Sequence, residues 1–335
     1  MFDIILSMEN NNNKRNLYND GDSGKLYLFA LVIPLVFGFI LSLILNMIAV
    51  GLGLSAFTQS PALYSIYLLL VNGSLLAVYF VYNKITKTNY VNASLLKPKF
   101  SWKNLVFSIL IALITLFGSL YLIKYITYLM ETIGYNPDSS LPLPLSNAGW
   151  LVLNILILAL APAICEELIY RGVVFNGLRK FGKVGAIFIS ALLFALAHGS
   201  AMQFFYQFIL GLVLAWIVVK TGSIVYSMVV HFVNNAIVVI DNYITIHTGF
   251  LEETKFTPLI IAIAFVAAAV AGGLLWLILH FTKEKKKENQ ISYNQIYNET
   301  YTKENRKFSS SSSILFFVLS LVVAVGLWAA GTFMA

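Results

Sequence analysis

Apolar residues in this chain run in long unbroken stretches, and polar residues are confined to the shorter segments between them. Nine stretches read as membrane-crossing helices: 26–51, 61–82, 104–126, 149–167, 184–199, 203–220, 223–246, 257–282 and 314–334. The criterion is about 20 mostly apolar residues, the length of helix that crosses a hydrocarbon core. The fifth stretch is shorter than that. None alternates with the period of two that marks a membrane barrel strand. The expected fold is therefore all-α, a polytopic membrane bundle of about eight core helices with a ninth at the C-terminus. Residues 1–25 read as a polar N-terminal tail, 26–282 as the bundle, 283–313 as a cytoplasmic polar linker and 314–335 as a C-terminal transmembrane helix. The linker is charged, rich in Asn and ends in the serines Ser309 to Ser313, a composition expected to stay disordered. The ninth helix then reads as an anchor appended to the core.

Composition names the solvent. Of 335 residues 59% are hydrophobic and 11% charged, against about 25% charged in an ordinary soluble domain. So little charge cannot cover a water-facing surface, so membrane lipid is the main partner. The polar, Asn-rich start lacks the short apolar segment and cleavage site of a signal peptide, so the first span is expected to be retained. A single cysteine, Cys165, excludes an intrachain disulfide and a cysteine metal cluster. The net charge of +7 does not point to nucleic acid, because the basic residues sit beside the spans, where lipid headgroups and topology account for them.

The basic residues also orient the chain. Lys14, Arg15 and Lys25 precede the first span, and Lys84, Lys87, Lys97, Lys99 and Lys103 follow the second. Arg179, Lys180 and Lys183 follow the fourth, and Lys283 to Lys287 the eighth. The intervening loop Thr127–Asn147 holds Glu131 and Asp138 and no basic residue. Positive loops stay inside. The N-terminus is thus expected in the cytoplasm, with the cell membrane as the location.

Charges within apolar helices cost roughly 2.5–3.5 kcal/mol each on insertion scales, so each needs a reason. Here they gather in three clusters. In Ala161-Pro162-Ala163-Ile164-Cys165-Glu166-Glu167-Leu168-Ile169-Tyr170-Arg171-Gly172, Glu167 and Arg171 are four apart and share a helix face. Glu166 is rotated about 100° from Glu167, so one carboxylate is paired and the other is left free, as a general base requires. Pro162 has no N–H for the carbonyl of Leu158, which predicts a kink just ahead of the carboxylates. Phe194 and His198 share a face of the next helix. His231 and Asn235 are four apart in the seventh span, where an amide can orient an imidazole or both can donate to an oxyanion. Asp241, His247 and His280 fall at span ends and read as interfacial, and Cys165 as packing.

Taken in order, these clusters resemble the CAAX-protease and bacteriocin-processing (CPBP) family, which includes the type II CAAX prenyl endopeptidases. That family is recognised by Glu-Glu-x-x-x-Arg, Phe-x-x-x-His and His-x-x-x-Asn on successive membrane helices, matched here by Glu166, Glu167, Arg171, Phe194, His198, His231 and Asn235. The resemblance spans roughly residues 100–250. It implies an intramembrane endopeptidase acting on a peptide or protein substrate. Glu166 and His198 would activate water, His231 and Asn235 would hold the oxyanion, and Glu167 and Arg171 would support them. Members are described both as metalloproteases and as metal-free glutamate proteases. Glu166, His198 and His231 could supply three zinc ligands with water as the fourth. The absence of His-Glu-x-x-His favours the metal-free form. A rhomboid-like Gly21-Asp22-Ser23-Gly24 lies in the polar tail and reads as a chance match.

Straight spans leave one conflict. Glu166 falls near the cytoplasmic end of span four and His198 near the outer end of span five, and the fourteen steps from Val184 to His198 rise about 21 Å. The fix expected is a fourth helix that runs on to about Leu178. Two rival functions remain open at this point: a transporter or ion/proton pathway, which buried Glu, His and Asn also suit, and a catalytically silent immunity or scaffold member of the same fold.

The topology has a direct check. A single cysteine at position 99 should be shielded from an impermeant maleimide in intact cells, and one at 138 should be labelled; the reverse pattern would overturn the orientation.

Overall fold

A computed structural model describes residues 17–96, 100–134, 145–248 and 310–333, together with positions 266, 270 and 273. Its long helices are α1 (Asp20–Gly51), α2 (Pro61–Ile85), α3 (Trp102–Thr132), α4 (Ala148–Phe181), α5 (Lys183–Ala197), α6 (Ala201–Thr221), α7 (Ile224–Thr248) and α8 (Ser311–Phe333). Among the described residues there is no strand, and seven helices are long and apolar enough to cross a membrane. The protein is an all-α membrane bundle. The exception is α5, whose 15 residues rise about 22 Å, short of a hydrocarbon core of about 30 Å. Most of the expected span 257–282, most of the linker 283–313, and Lys99, Asp138 and Lys283 lie outside the described residues.

The bundle is wrapped around α4. Buried side chains of α1, α2, α4, α5 and α6 form one core around Tyr27, Tyr79, Phe175, Leu193 and Phe194. A second core joins α3, α6 and α7 through Ile111, Leu210, Leu214, Ile217 and Val230. Lipid-facing flanks stay apolar, as Phe39, Met47, Phe117 and Val322 show.

Two boundaries differ from the sequence reading, for electrostatic reasons. Residues 20–25, expected to end a polar tail, form the first turns of α1. Asn19 and Asp22 cap that helix reciprocally. Lys180 pairs with the buried Asp20 at 2.7 Å, and the Tyr82 hydroxyl donates to Asp22 at 2.6 Å. With partners on every side, polar residues no longer need water. Hydropathy registers only the polarity. Likewise α8 is more than an anchor. It starts at Ser311 and lies along α1, with Lys25 Nζ 5.2 Å from the Phe316 ring and Trp328 edge-on to Phe204 of α6 at 5.9 Å.

The fourth span also differs, and here the change removes the conflict. Helix α4 continues through residue 167 to Phe181. It is not uniform: wider π turns at Ile155–Leu160 and Tyr170–Phe175 flank the α-helical Ala161–Ile169 that carries the two glutamates. Such widened turns cluster at functional sites, and the first lies directly before Pro162.

Gly182 then reverses the chain with φ +94°, a conformation that disfavours a side chain. Antiparallel α4 and α5 consequently pair residues equidistant from it. Tyr170 and Phe194, each twelve residues away, have ring centroids 5.1 Å apart. Glu166 and His198, each sixteen residues away, come to the same level by that arithmetic.

Close packing at the α1–α4 contact is testable. A Cβ on Gly177 would stand 2.1 Å from Ser23 Oγ and 2.3 Å from the Asn19 carbonyl oxygen, whereas one on Gly73 would meet nothing within 4 Å. Gly177→Ala should lower the melting temperature of the detergent-solubilised protein, by overpacking worth about 1–3 kcal/mol. Gly73→Ala, which improves helix propensity, should leave it unchanged or raise it. Equal melting temperatures for the two variants would contradict this packing.

Candidate active site

The site begins with a buried ion pair. Arg171 Nη1 donates to Glu167 Oε1 at 2.8 Å, and both side chains are 0% exposed. The second guanidinium arm donates to the Gly211 carbonyl of α6 at 3.2 Å. The guanidinium lies 4.3 Å from the centroid of the Phe194 ring of α5. From α7, His231 Nδ1 donates to the same Glu167 oxygen at 3.1 Å. One carboxylate thus binds a cation on its own helix and an imidazole on another. The i,i+4 pairing was legible in the sequence; the second link, to His231, was not.

Glu166 has the opposite environment. Its side chain is 19% exposed, and Oε2, like Oε2 of Glu167, finds no hydrogen-bond donor among the described residues. That oxygen lies 3.9 Å from His231 Nε2. The two ring nitrogens of His231 therefore face the two adjacent glutamates, bonded to one and near the other. The separation of a paired and a free carboxylate follows from the 100° step between neighbours.

His198 closes the last turn of α5. Its Nδ1 lies 2.8 Å from the Phe194 carbonyl oxygen. A carbonyl can only accept, so Nδ1 holds the proton, and in the neutral ring Nε2 carries the lone pair. Phe194 is the common wall: His198 meets it edge-on at 4.8 Å and His231 at 5.9 Å between centroids. The phenylalanine of the second motif thus packs against both imidazoles and the arginine.

Asn235 turns its amide nitrogen to the Leu158 carbonyl at 3.4 Å, the group that Pro162 cannot serve. Its oxygen receives Nδ2 of Asn234 at 3.4 Å, and Asn234 Oδ1 in turn accepts from the Tyr206 hydroxyl of α6. Asn234 and Tyr206 escaped the sequence reading. Asn234 adjoins a motif position, but a lone tyrosine in an apolar helix gives no signal.

The remaining candidates stand apart. Ser23 Oγ donates to the Val174 carbonyl at 2.9 Å, a structural bond consistent with a chance motif. Cys165 is buried, Asp241 and His247 are exposed, and His280 lies outside the described residues. For a metal, among the described residues no three His, Cys, Asp or Glu converge closely enough to hold an ion. His231 Nδ1 is bonded to Glu167, which leaves Nε2 as its possible ligand atom. Glu166, His198 and His231 as arranged do not converge into a zinc ligand set.

The structure is a polytopic membrane bundle that brings Glu-Glu-x-x-x-Arg against Phe-x-x-x-His and His-x-x-x-Asn. Residues 148–237 match the family model "type II CAAX prenyl endopeptidase Rce1-like", so this segment is similar to that family. The match begins at the start of α4 and ends within α7, and so contains all the motif residues. No curated protein and no solved structure matches the chain.

If Glu167 and Arg171 chiefly hold the site together, losing one partner strands a buried charge, at about 3–5 kcal/mol. Arg171→Ala should therefore reduce folded yield and melting temperature together with any activity. A fully stable but inactive Arg171→Ala would give the arginine a direct chemical part instead.

Proposed function

We propose that the protein is an intramembrane endopeptidase that hydrolyses a peptide bond of a membrane-seated peptide or protein. The observation that supports this best is the partly exposed Glu166 carboxylate, its Oε2 without a donor, beside two imidazoles that share the Phe194 wall. A carboxylate held this way suits a general base. Glu166 takes one proton of a water molecule, whose other O–H donates to the lone pair on His198 Nε2, as the water oxygen attacks the scissile carbonyl carbon. The electron pair of the C=O π bond moves onto the carbonyl oxygen. When protonated, His231 presents Nε2–H to that oxyanion, and Asn235 presents the amide N–H not engaged by Leu158. Collapse of the intermediate breaks the C–N bond, and the proton passes from Glu166 to the leaving amine. Glu167 and Arg171 touch no reacting atom; they fix His231. Orientation with the N-terminus in the cytoplasm, in the cell membrane, completes the proposal.

A comparison of peptides in membranes containing the wild type or Glu166→Gln tests the activity. Cut ends present with the wild type should vanish with the variant, which keeps shape and hydrogen-bonding capacity. A metal-free site should keep its activity in excess chelator. Loss on chelation with recovery on added zinc would contradict the metal-free form, and identical peptide sets would remove the peptidase reading in favour of a transport role.

A further inference from the structure

We infer that Tyr206 and Asn234 are positioning residues that fix which way the Asn235 amide faces, an inference that rests on the peptidase reading above. An amide side chain has a donor end and an acceptor end of nearly the same shape, so only its neighbours decide which end meets the reacting carbonyl. Here the decision starts at a backbone group. Pro162 offers no N–H to Leu158, and the Leu158 carbonyl can only accept; Asn235 must therefore turn Nδ2 toward it, as observed at 3.4 Å. That places Asn235 Oδ1 toward its chain neighbour. Asn234 must then answer with Nδ2, as observed at 3.4 Å. Asn234 Oδ1 is left as an acceptor, and the Tyr206 hydroxyl is the donor that fills it.

Polarity is set from the accept-only Leu158 carbonyl, and the Tyr206 hydroxyl, which can donate or accept, closes the chain by donating to the Asn234 Oδ1 left facing it. Its product is an Asn235 amide whose oxygen is occupied and whose second N–H remains for a developing oxyanion. The reverse orientation would aim a carbonyl oxygen at that negative charge. Asn234 is 1% exposed, so water is not at hand to replace the tyrosine. The relay crosses three elements: Leu158 belongs to the π turn of α4, the two asparagines to α7, and Tyr206 to α6. The family match spans Asn235, Asn234 and Tyr206 and assigns a role to none of them.

Tyr206→Phe removes only the hydroxyl. The probe is the peptide whose cut ends appear with the wild type and vanish with Glu166→Gln, synthesised in internally quenched form and assayed with the full chain in detergent. Tyr206→Phe should lower kcat roughly tenfold with KM and melting temperature unchanged, less than the about 10²–10³-fold expected for removing an oxyanion donor outright. Asn234→Asp sets an oxygen against Asn235 Oδ1 and should lower kcat further, toward the level of Asn235→Ala. Added to Asn235→Ala, Tyr206→Phe should cost nothing more, because a relay has no further effect once its end is gone. A wild-type kcat for Tyr206→Phe would overturn the relay, as would an equal loss in both backgrounds, which would mark a packing effect. If Asn234→Asp does not fold, the Tyr206–Asn235 cycle alone decides. Should no peptide depend on Glu166, the peptidase reading falls and the relay with it; should Glu166 matter and Tyr206 not, the relay alone falls.

Discussion

Two opposite charges lie fully buried inside a lipid-solvated bundle, Glu167 and Arg171, and the arrangement of four helices depends on how they are satisfied. Separating a buried ion pair strands a charge, so the partners around it matter. They come from elsewhere: the Gly211 carbonyl from α6, the Phe194 face from α5 and the His231 imidazole from α7, while Glu167 Oε2 and Arg171 Nε find no hydrogen-bond partner among the described residues. Phe194 and His231 are themselves motif residues, so the pair contacts all three motifs. Around it the chain divides labour by exposure: Glu167, Arg171 and His231 are sealed, while Glu166, His198 and Asn235 stay partly open. In the proposed peptidase, Glu167 and Arg171 hold geometry, and Glu166, His198 and Asn235 are the groups left for chemistry.

The backbone contributes in the same region. Pro162, the π turns on either side of Ala161–Ile169 and the reversal at Gly182 are departures from a uniform helix. Each has a consequence. The missing N–H of Pro162 leaves a carbonyl that Asn235 takes up, and the reversal at Gly182 sets Phe194 against Tyr170 and Arg171. A straight fourth helix ending at residue 167 would have left the glutamates and His198 at opposite sides of the membrane.

Much of this was legible in the sequence. Apolar runs gave the all-α membrane class and most helix positions, and the four-residue spacings gave the Glu167–Arg171 pair. The limits of α4 were not legible from hydropathy, because Arg171, Arg179 and Lys180 are polar yet buried with partners that no window average can see. The start of α1 was misread for the same reason, with Asp20 and Asp22 neutralised by Lys180 and Tyr82 from distant positions. A better signal was present: Gly182 stands midway between Glu166 and His198, so a tight reversal there levels the two. The relay from Tyr206 could not be foreseen, since it needs the three-dimensional meeting of α6 with α7.

The central claim is that Glu166 and His198, from separate helices, work as one catalytic unit. It is tested most directly by the cleavage rates of Glu166→Gln, His198→Ala and the double variant under one set of conditions. Loss of a general base should slow cleavage about 10²–10⁴-fold, and the double variant should be scarcely slower than either single one, because residues acting as a unit do not add. Losses that multiply, or a Glu166→Gln protein that cleaves at the wild-type rate, would contradict the account.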